Sequence, residues 1–440
     1  MLVAAGAVVW PANSLIGFFV ILGALASLVG LYAITSMARR RTTVIVLALI
    51  AGVGLFFVGL AAAIGLFGVE GTPRRQLWEL NASVSVAVVY LGLGGILVVQ
   101  AASALGGSGS TVLRLPPLRL LFVAAPVMLA AIVLGHLIVS HPESNGRWAF
   151  PVVNLVIVAV PSIAFASLVT ARYRRANPLS WPISWREWTT GFTYGAIGAT
   201  TMGGIVNSLY LAGMGEFLVE HHGTDFGGPL IDSLRTLPRG WGLFLDLTVL
   251  SVVAPLNEEF WKGMLVGFFL FRRGRAARCF LWGVLAGSGF NLLETFGGSV
   301  GILDPDGVSQ QQLNEQWWLF ASARTGTALI HGLASGLSAL GFYGLLTRRW
   351  RYLAGYPLGV LVHGSWNFLT YVVEGDAMFS QAGPDSALLD VAGIAGLIVL
   401  ACACAIALWA LAGRLSDGAP APIYRALGML PAPPLSVPLE

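Results

Sequence analysis

The chain has 440 residues, of which 56% are hydrophobic and only 10% charged, with a formal net charge of +4. Soluble domains carry about 25% charged residues, so the composition excludes a soluble fold and predicts an all-α, polytopic transmembrane helix bundle. The basic excess is spread as short arginine runs between apolar segments, which argues against nucleic acid as a partner and marks the arginines as topology signals.

Apolar runs long enough to cross a bilayer occur at Leu15–Met37, Thr43–Phe67, Ser83–Ala104, Leu120–Val139, Phe150–Thr170, Phe192–Met214, Trp241–Phe271, Phe280–Val300, Thr325–Leu346, Tyr352–Val373 and Leu388–Leu411. At about 20 residues per span this predicts about 11 transmembrane helices. The loops alternate in arginine content, 18 on one side against 6 on the other. By the positive-inside rule the N-terminus is expected outside and the C-terminus in the cytoplasm. Trp148, Trp241, Trp317 and Trp318 fall near outer ends and Trp181, Trp185, Trp188 and Trp350 near inner ends, as an aromatic belt requires. The near-total use of arginine over lysine fits a GC-rich bacterial genome, and the bacterial plasma membrane is the expected location.

No cleavable signal peptide is expected, because the first apolar run is of spanning length and precedes Arg39-Arg40-Arg41. The three cysteines, Cys279, Cys402 and Cys404, form neither a disulfide framework nor a CxxC site. Four regions are expected: residues 1–175, an N-terminal five-helix membrane region; 176–375, a helix bundle that carries the motifs; 376–412, a final transmembrane helix; and 413–440, a proline-rich, disordered tail. Gly106–Ser110 reads as a flexible link. Two outer loops are long, Gly215–Gly240 and Gly301–Arg324, and His221, His222 and Asp225 in the first read as a solvated loop.

The informative stretch is Trp241–Phe271, which carries Pro255-Leu256-Asn257-Glu258-Glu259-Phe260-Trp261-Lys262. An ionised side chain at mid-bilayer costs about 2.5–3.5 kcal/mol on insertion scales. Lys262 is the only lysine in the chain, and it follows Glu258 by one helical turn on the same face. Counting from the basic cytoplasmic end of each late helix places Glu258, Glu259, Glu294, His331 and His363 at roughly 18–25 Å depth, given a rise of about 1.5 Å per residue. Four consecutive helices thus put ionisable residues in one layer. Neighbours share their faces: Asn291 with Glu294, His331 with Ser335, and His363 with Asn367. Pro255 frees a carbonyl one turn back and is expected to bend the helix. Gly283 and Gly287, and Gly332 and Gly336, are small-xxx-small pairs that permit close helix approach.

Glu258-Glu259-x-x-Lys262, Phe290-x-x-x-Glu294, His331 with Ser335, and His363-x-x-x-Asn367, in this order, resemble the PrsW family of intramembrane proteases. They are also similar to the wider group of type II prenyl-protein (CAAX) endopeptidases and bacteriocin-processing proteases. That group has a histidine where this chain has Glu294, so its mechanism does not transfer directly. The resemblance covers about Phe192 to Val373. It implies an endopeptidase that cuts a membrane-embedded or membrane-proximal protein, with catalytic residues among Glu258, Glu259, Lys262, Asn291, Glu294, His331, His363 and Asn367.

Two mechanisms fit. In one, Glu258 or Glu259 is the general base, Lys262 holds the other carboxylate, and His331, His363 and Asn367 position water and stabilise the oxyanion. In the other, Glu294, His331 and His363 bind Zn²⁺ with an open position, and a glutamate of the pair is the base. The rival function is a proton-coupled transporter or channel that uses the same buried Glu/His layer.

Overall fold

A computed structural model describes residues 41–65, 68–105, 121–177, 183–222, 237–271, 275–304, 309–374 and 387–415. Every regular element among them is helical, as lipid demands of a chain whose backbone groups must pair internally. The helices are α1 (Arg41–Gly65), α2 (Pro73–Leu105), α3 (Leu121–Ser140), α4 (Phe150–Ala176), α5 (Trp185–Thr193), α6 (Thr200–His222), α7 (Arg239–Thr248), α8 (Ala254–Phe271), α9 (Ala276–Ile302), α10 (Gln310–Thr347), α11 (Gly355–Glu374) and α12 (Ala387–Arg414). Among the described residues, nine helical stretches are long and apolar enough to span a membrane. The protein is a polytopic helix bundle. The expected span Leu15–Met37, the link Gly106–Ser110, Asp225 and residues 416–440 of the tail lie outside the described residues.

Two joints depart from plain α-helix. A π-helical segment, Tyr194–Ala199, fuses α5 to α6, so one continuous stretch runs from Trp185 to His222. The expected span at Phe192–Met214 is therefore extended at both ends, and the first part of the expected loop Gly215–Gly240 is helical. A second π-helical segment, Val249–Val253, joins α7 to α8. Its cause is local: the N–H of Ala254 reaches back to the carbonyl of Val249, and the next residue, Pro255, has no N–H to give to Leu250. The bend expected from Pro255 takes this form. Asp246, which counts to the outer interface, is buried inside the protein.

The centre of the bundle is α9, buried along almost its whole length. Glycine lets its neighbours approach. A Cβ on Gly287 would lie 2.1 Å from the carbonyl oxygen of His331 on α10, and one on Gly283 would lie 2.2 Å from that of Ser335. Polar contacts fix the other side of α9. Asn154 of α4 donates to Asn81 Oδ1 of α2 at 2.8 Å and to Ser299 Oγ of α9 at 2.9 Å. All three side chains are fully buried, where an unpaired amide is costly.

At the Arg278 end of α9, Ser184 caps α5 by accepting the Glu187 N–H. Glu187 receives both Nε and Nη2 of Arg278 and the indole N–H of Trp282. Trp185, Trp188 and Phe192 stack along one face of α5. Cys402 is exposed and Cys404 buried, as two-residue spacing on a helix requires.

The glycine contacts give a paired test. Gly287→Ala pushes backbone against backbone, with an expected loss of about 1–3 kcal/mol. Gly297→Ala on the same helix meets nothing within 4 Å and is expected to stay within about 0.5 kcal/mol of wild type. Equilibrium unfolding in detergent compares the two.

Candidate active site

Helix α8 brings Lys262 within reach of both Glu258 and Glu259, because they precede it by four and three residues. The Lys262 ammonium is the hub. It donates to Glu259 Oε1 at 2.9 Å, to Glu258 Oε2 at 3.4 Å and to His331 Nδ1 at 3.1 Å. It also sits 3.6 Å from the centroid of the Phe290 ring, a cation–π contact that gains strength away from water. Lys262 and Glu259 have no solvent exposure. An ion pair this deep persists only where hydrogen bonds satisfy every charged atom.

Each histidine is oriented by a carboxylate. His331 Nε2 lies 2.6 Å from Glu294 Oε2, so this nitrogen carries the proton and Nδ1 accepts from Lys262. His363 Nδ1 lies 3.0 Å from Glu259 Oε1, so it donates there and leaves Nε2 as a lone pair. That Nε2 faces Glu258 Oε2 at 3.8 Å. The two imidazoles meet edge to face, with centroids 4.6 Å apart. Glu259 Oε2 accepts from Ser338 Oγ at 3.4 Å.

The five ionisable residues expected in one layer, Glu258, Glu259, Glu294, His331 and His363, therefore form one knot with Lys262. Among the described residues, neither of the two amides hydrogen-bonds to the knot. Asn367 donates to the carbonyl of Leu250 at 2.8 Å, the carbonyl that the π segment and Pro255 leave without a backbone partner. Asn291 points to α4 and donates to Ser162 Oγ at 2.8 Å. Ser335, which shares a face with His331, packs against Gly287.

The expected ligand set also regroups. Donor atoms of Glu259, His331 and His363 lie within 4.8 Å of one another, all buried. Glu294 instead holds the opposite nitrogen of His331, as a carboxylate that orients a histidine ligand does.

Three residues that the sequence reading does not assign to the site complete it. Asn207 of α6 donates to Glu258 Oε1 at 3.1 Å. Asn257 donates to Asn207 Oδ1 and to the Gly203 carbonyl, both at 2.8 Å. Arg324 of α10 lies 3.6 Å from Glu294 Oε1 and over the Phe320 ring. Asn207 sits in an apolar run with no motif. A depth count would have been its only signal. Arg324 counts among the loop arginines, although it stands two turns before His331 on the same helix face.

A membrane-buried helix bundle with paired carboxylates and carboxylate-oriented histidines at one depth defines a class, the intramembrane hydrolases. Residues 184–401 match the PrsW family intramembrane metalloproteases, and that part of the chain belongs to this family. The protein is thus an enzyme, an intramembrane protease, and an integral membrane protein. No curated protein and no solved structure matches the chain. The family description implies a metal, and a carboxylate and two imidazoles lie mutually close and dry here, but the Lys262 ammonium already bonds Glu259 Oε1 and His331 Nδ1, so these donors hold a metal only with that ammonium displaced.

Lys262→Met removes the donor shared by two carboxylates and an imidazole. Breaking a buried pair from one side costs about 3–5 kcal/mol. Unfolding of the purified variant in detergent is expected to show a loss of that size, whereas an unchanged midpoint contradicts the hub.

Proposed function

We propose that the protein is a bacterial plasma-membrane endopeptidase that hydrolyses a peptide bond of a membrane-embedded or membrane-proximal protein, with Glu258 as general base. Its N-terminus lies outside and its C-terminus in the cytoplasm, as the arginine alternation requires.

The observation that carries the choice of base is how the three carboxylates are held. Glu259 is fully enclosed and spends both oxygens on Lys262, His363 and Ser338. Glu294 is committed to His331 and Arg324. Glu258 is partly exposed, and its Oε2 faces the lone pair of His363 Nε2 across 3.8 Å. A gap of that size between two acceptors is one that a water closes by donating to both. Glu258 takes a proton from that water as it attacks the scissile carbonyl, then returns it to the leaving amine.

His363 orients the water, and its own ring is held by Glu259. Asn367 shares a face of α11 with His363 and has a second amide N–H beyond the one given to Leu250. That N–H is the oxyanion donor. His331, fixed between Glu294 and Lys262, keeps the far wall of the site in place. A divalent metal such as Zn²⁺ would have to displace Lys262 from Glu259 and His331; held there together with His363, it would polarise the carbonyl and acidify a bound water.

Glu258→Gln keeps the shape and removes the base. It is expected to lower kcat by about 10²–10⁴-fold, and His331→Ala is expected to abolish cleavage as well. Membrane proteomics of cells that carry wild type or Glu258→Gln identifies the protein whose cut form disappears. If both variants keep full peptidase activity, the assignment is wrong. Metal analysis of the purified protein, with cleavage assayed under chelator, decides the metal. Stoichiometric metal whose removal stops cleavage assigns it to the triad, and chelator-insensitive cleavage by metal-free protein excludes it.

A further inference from the structure

We infer that Asn207 is a positioning residue for the general base, and that Gly203, Asn207 and Asn257 form a cradle that aims the Glu258 carboxylate. This rests on Glu258 being the base.

The cradle is built from two helices. On α6, Gly203 and Asn207 are four residues apart and share one face. A Cβ on Gly203 would lie 3.2 Å from Glu258 Cγ, so the missing side chain lets the Glu258 stem lie along α6. One turn further on, the Asn207 amide reaches Glu258 Oε1 at 3.1 Å. Its own rotamer is fixed by Asn257, which donates to Asn207 Oδ1. Asn257 is in turn anchored on the Gly203 carbonyl. The chain of donors runs in one direction, from Asn257 to Asn207 to Glu258, and assigns each amide a defined orientation.

The consequence is a division of labour between the two carboxylate oxygens. Oε1 is held by α6. Oε2 is left to face Lys262 at 3.4 Å and His363 Nε2 at 3.8 Å. Without the Asn207 donor the carboxylate is free to rotate about its last torsion, which is broad for a glutamate. Lys262 could then capture either oxygen, and the water-facing geometry would be lost. Among the described residues the other two carboxylates are held differently, Glu259 by Lys262, His363 and Ser338 and Glu294 by His331 and Arg324.

The test uses the full-length enzyme in liposomes. The probe is a quenched-fluorescence transmembrane peptide, chosen because wild type cleaves it and Glu258→Gln does not. Asn207→Leu keeps the volume and removes the donor. The expected result is a fall in kcat on the order of 10- to 100-fold, with KM within about twofold. Asn207→Gln, which retains the donor, is expected to recover part of the loss. If Asn207→Leu does not fold, Asn257→Leu carries the test one hydrogen bond further out, with a smaller fall in kcat alone. An unchanged kcat, or an effect on KM alone, overturns the inference, because a substrate contact or a packing role would give those results. If no peptide separates wild type from Glu258→Gln, the functional reading fails instead. The two failures are therefore distinguishable.

Discussion

A single ammonium holds this membrane protein's reactive centre together. Lys262 is the chain's only lysine, and it joins α8 to itself through two glutamates and to α10 through His331. Charges at such depth are tolerated only when they pair. Three carboxylates that faced one another unpaired would drive the helices apart. With the ammonium between them, the carboxylates on α8 can in turn orient His363 on α11, while Glu294 on α9 orients His331. The electrostatics thus fixes which helices must be neighbours, and the chemistry inherits that arrangement.

Packing supplies the second constraint. Helix α9 can stand at the centre because glycines let the backbones of α10 and of the π segment Tyr194–Ala199 come into contact with it. Asn81, Asn154 and Ser299 lock its C-terminal half to α2 and α4, which lie before the stretch that matches the family. Asn291 makes the same kind of bond to Ser162 further along. The leading helices therefore brace the helix that carries Glu294, although none of their residues enters the reactive knot.

Much of this was legible in the sequence for a physical reason. Ionisable residues are costly in apolar helices, so each one stands out, and a constant rise per residue converts position into depth. Glu258, Glu259, Glu294, His331 and His363 stand out in that way, Lys262 stands out as the only lysine, and all six converge. Pro255 announced the irregular joint by its missing N–H. Rotation about each helix axis was not legible. Spacing put Asn291 on the face of Glu294 and Asn367 on the face of His363. Tertiary packing turned the first toward Ser162 and gave the second a bare carbonyl to cap. The same limit hid the exchange of Glu259 for Glu294 beside the two histidines, because depth says nothing about which imidazole nitrogen a carboxylate meets. Asn207 was hidden because a neutral amide in an apolar run costs far less than a charge and carries little signal.

The single lysine also allows the central claim to be measured directly. Isotopic labelling of lysine side-chain nitrogen gives one ammonium signal in the membrane-embedded protein. Solid-state distance measurements from that nitrogen to labelled glutamate carboxyls and histidine rings report the knot itself. The account predicts strong coupling to glutamate carboxylates and to one imidazole, consistent with separations of 2.9 Å and 3.1 Å to the nearest atoms. An ammonium that shows no such coupling, and that exchanges freely with bulk water, contradicts it.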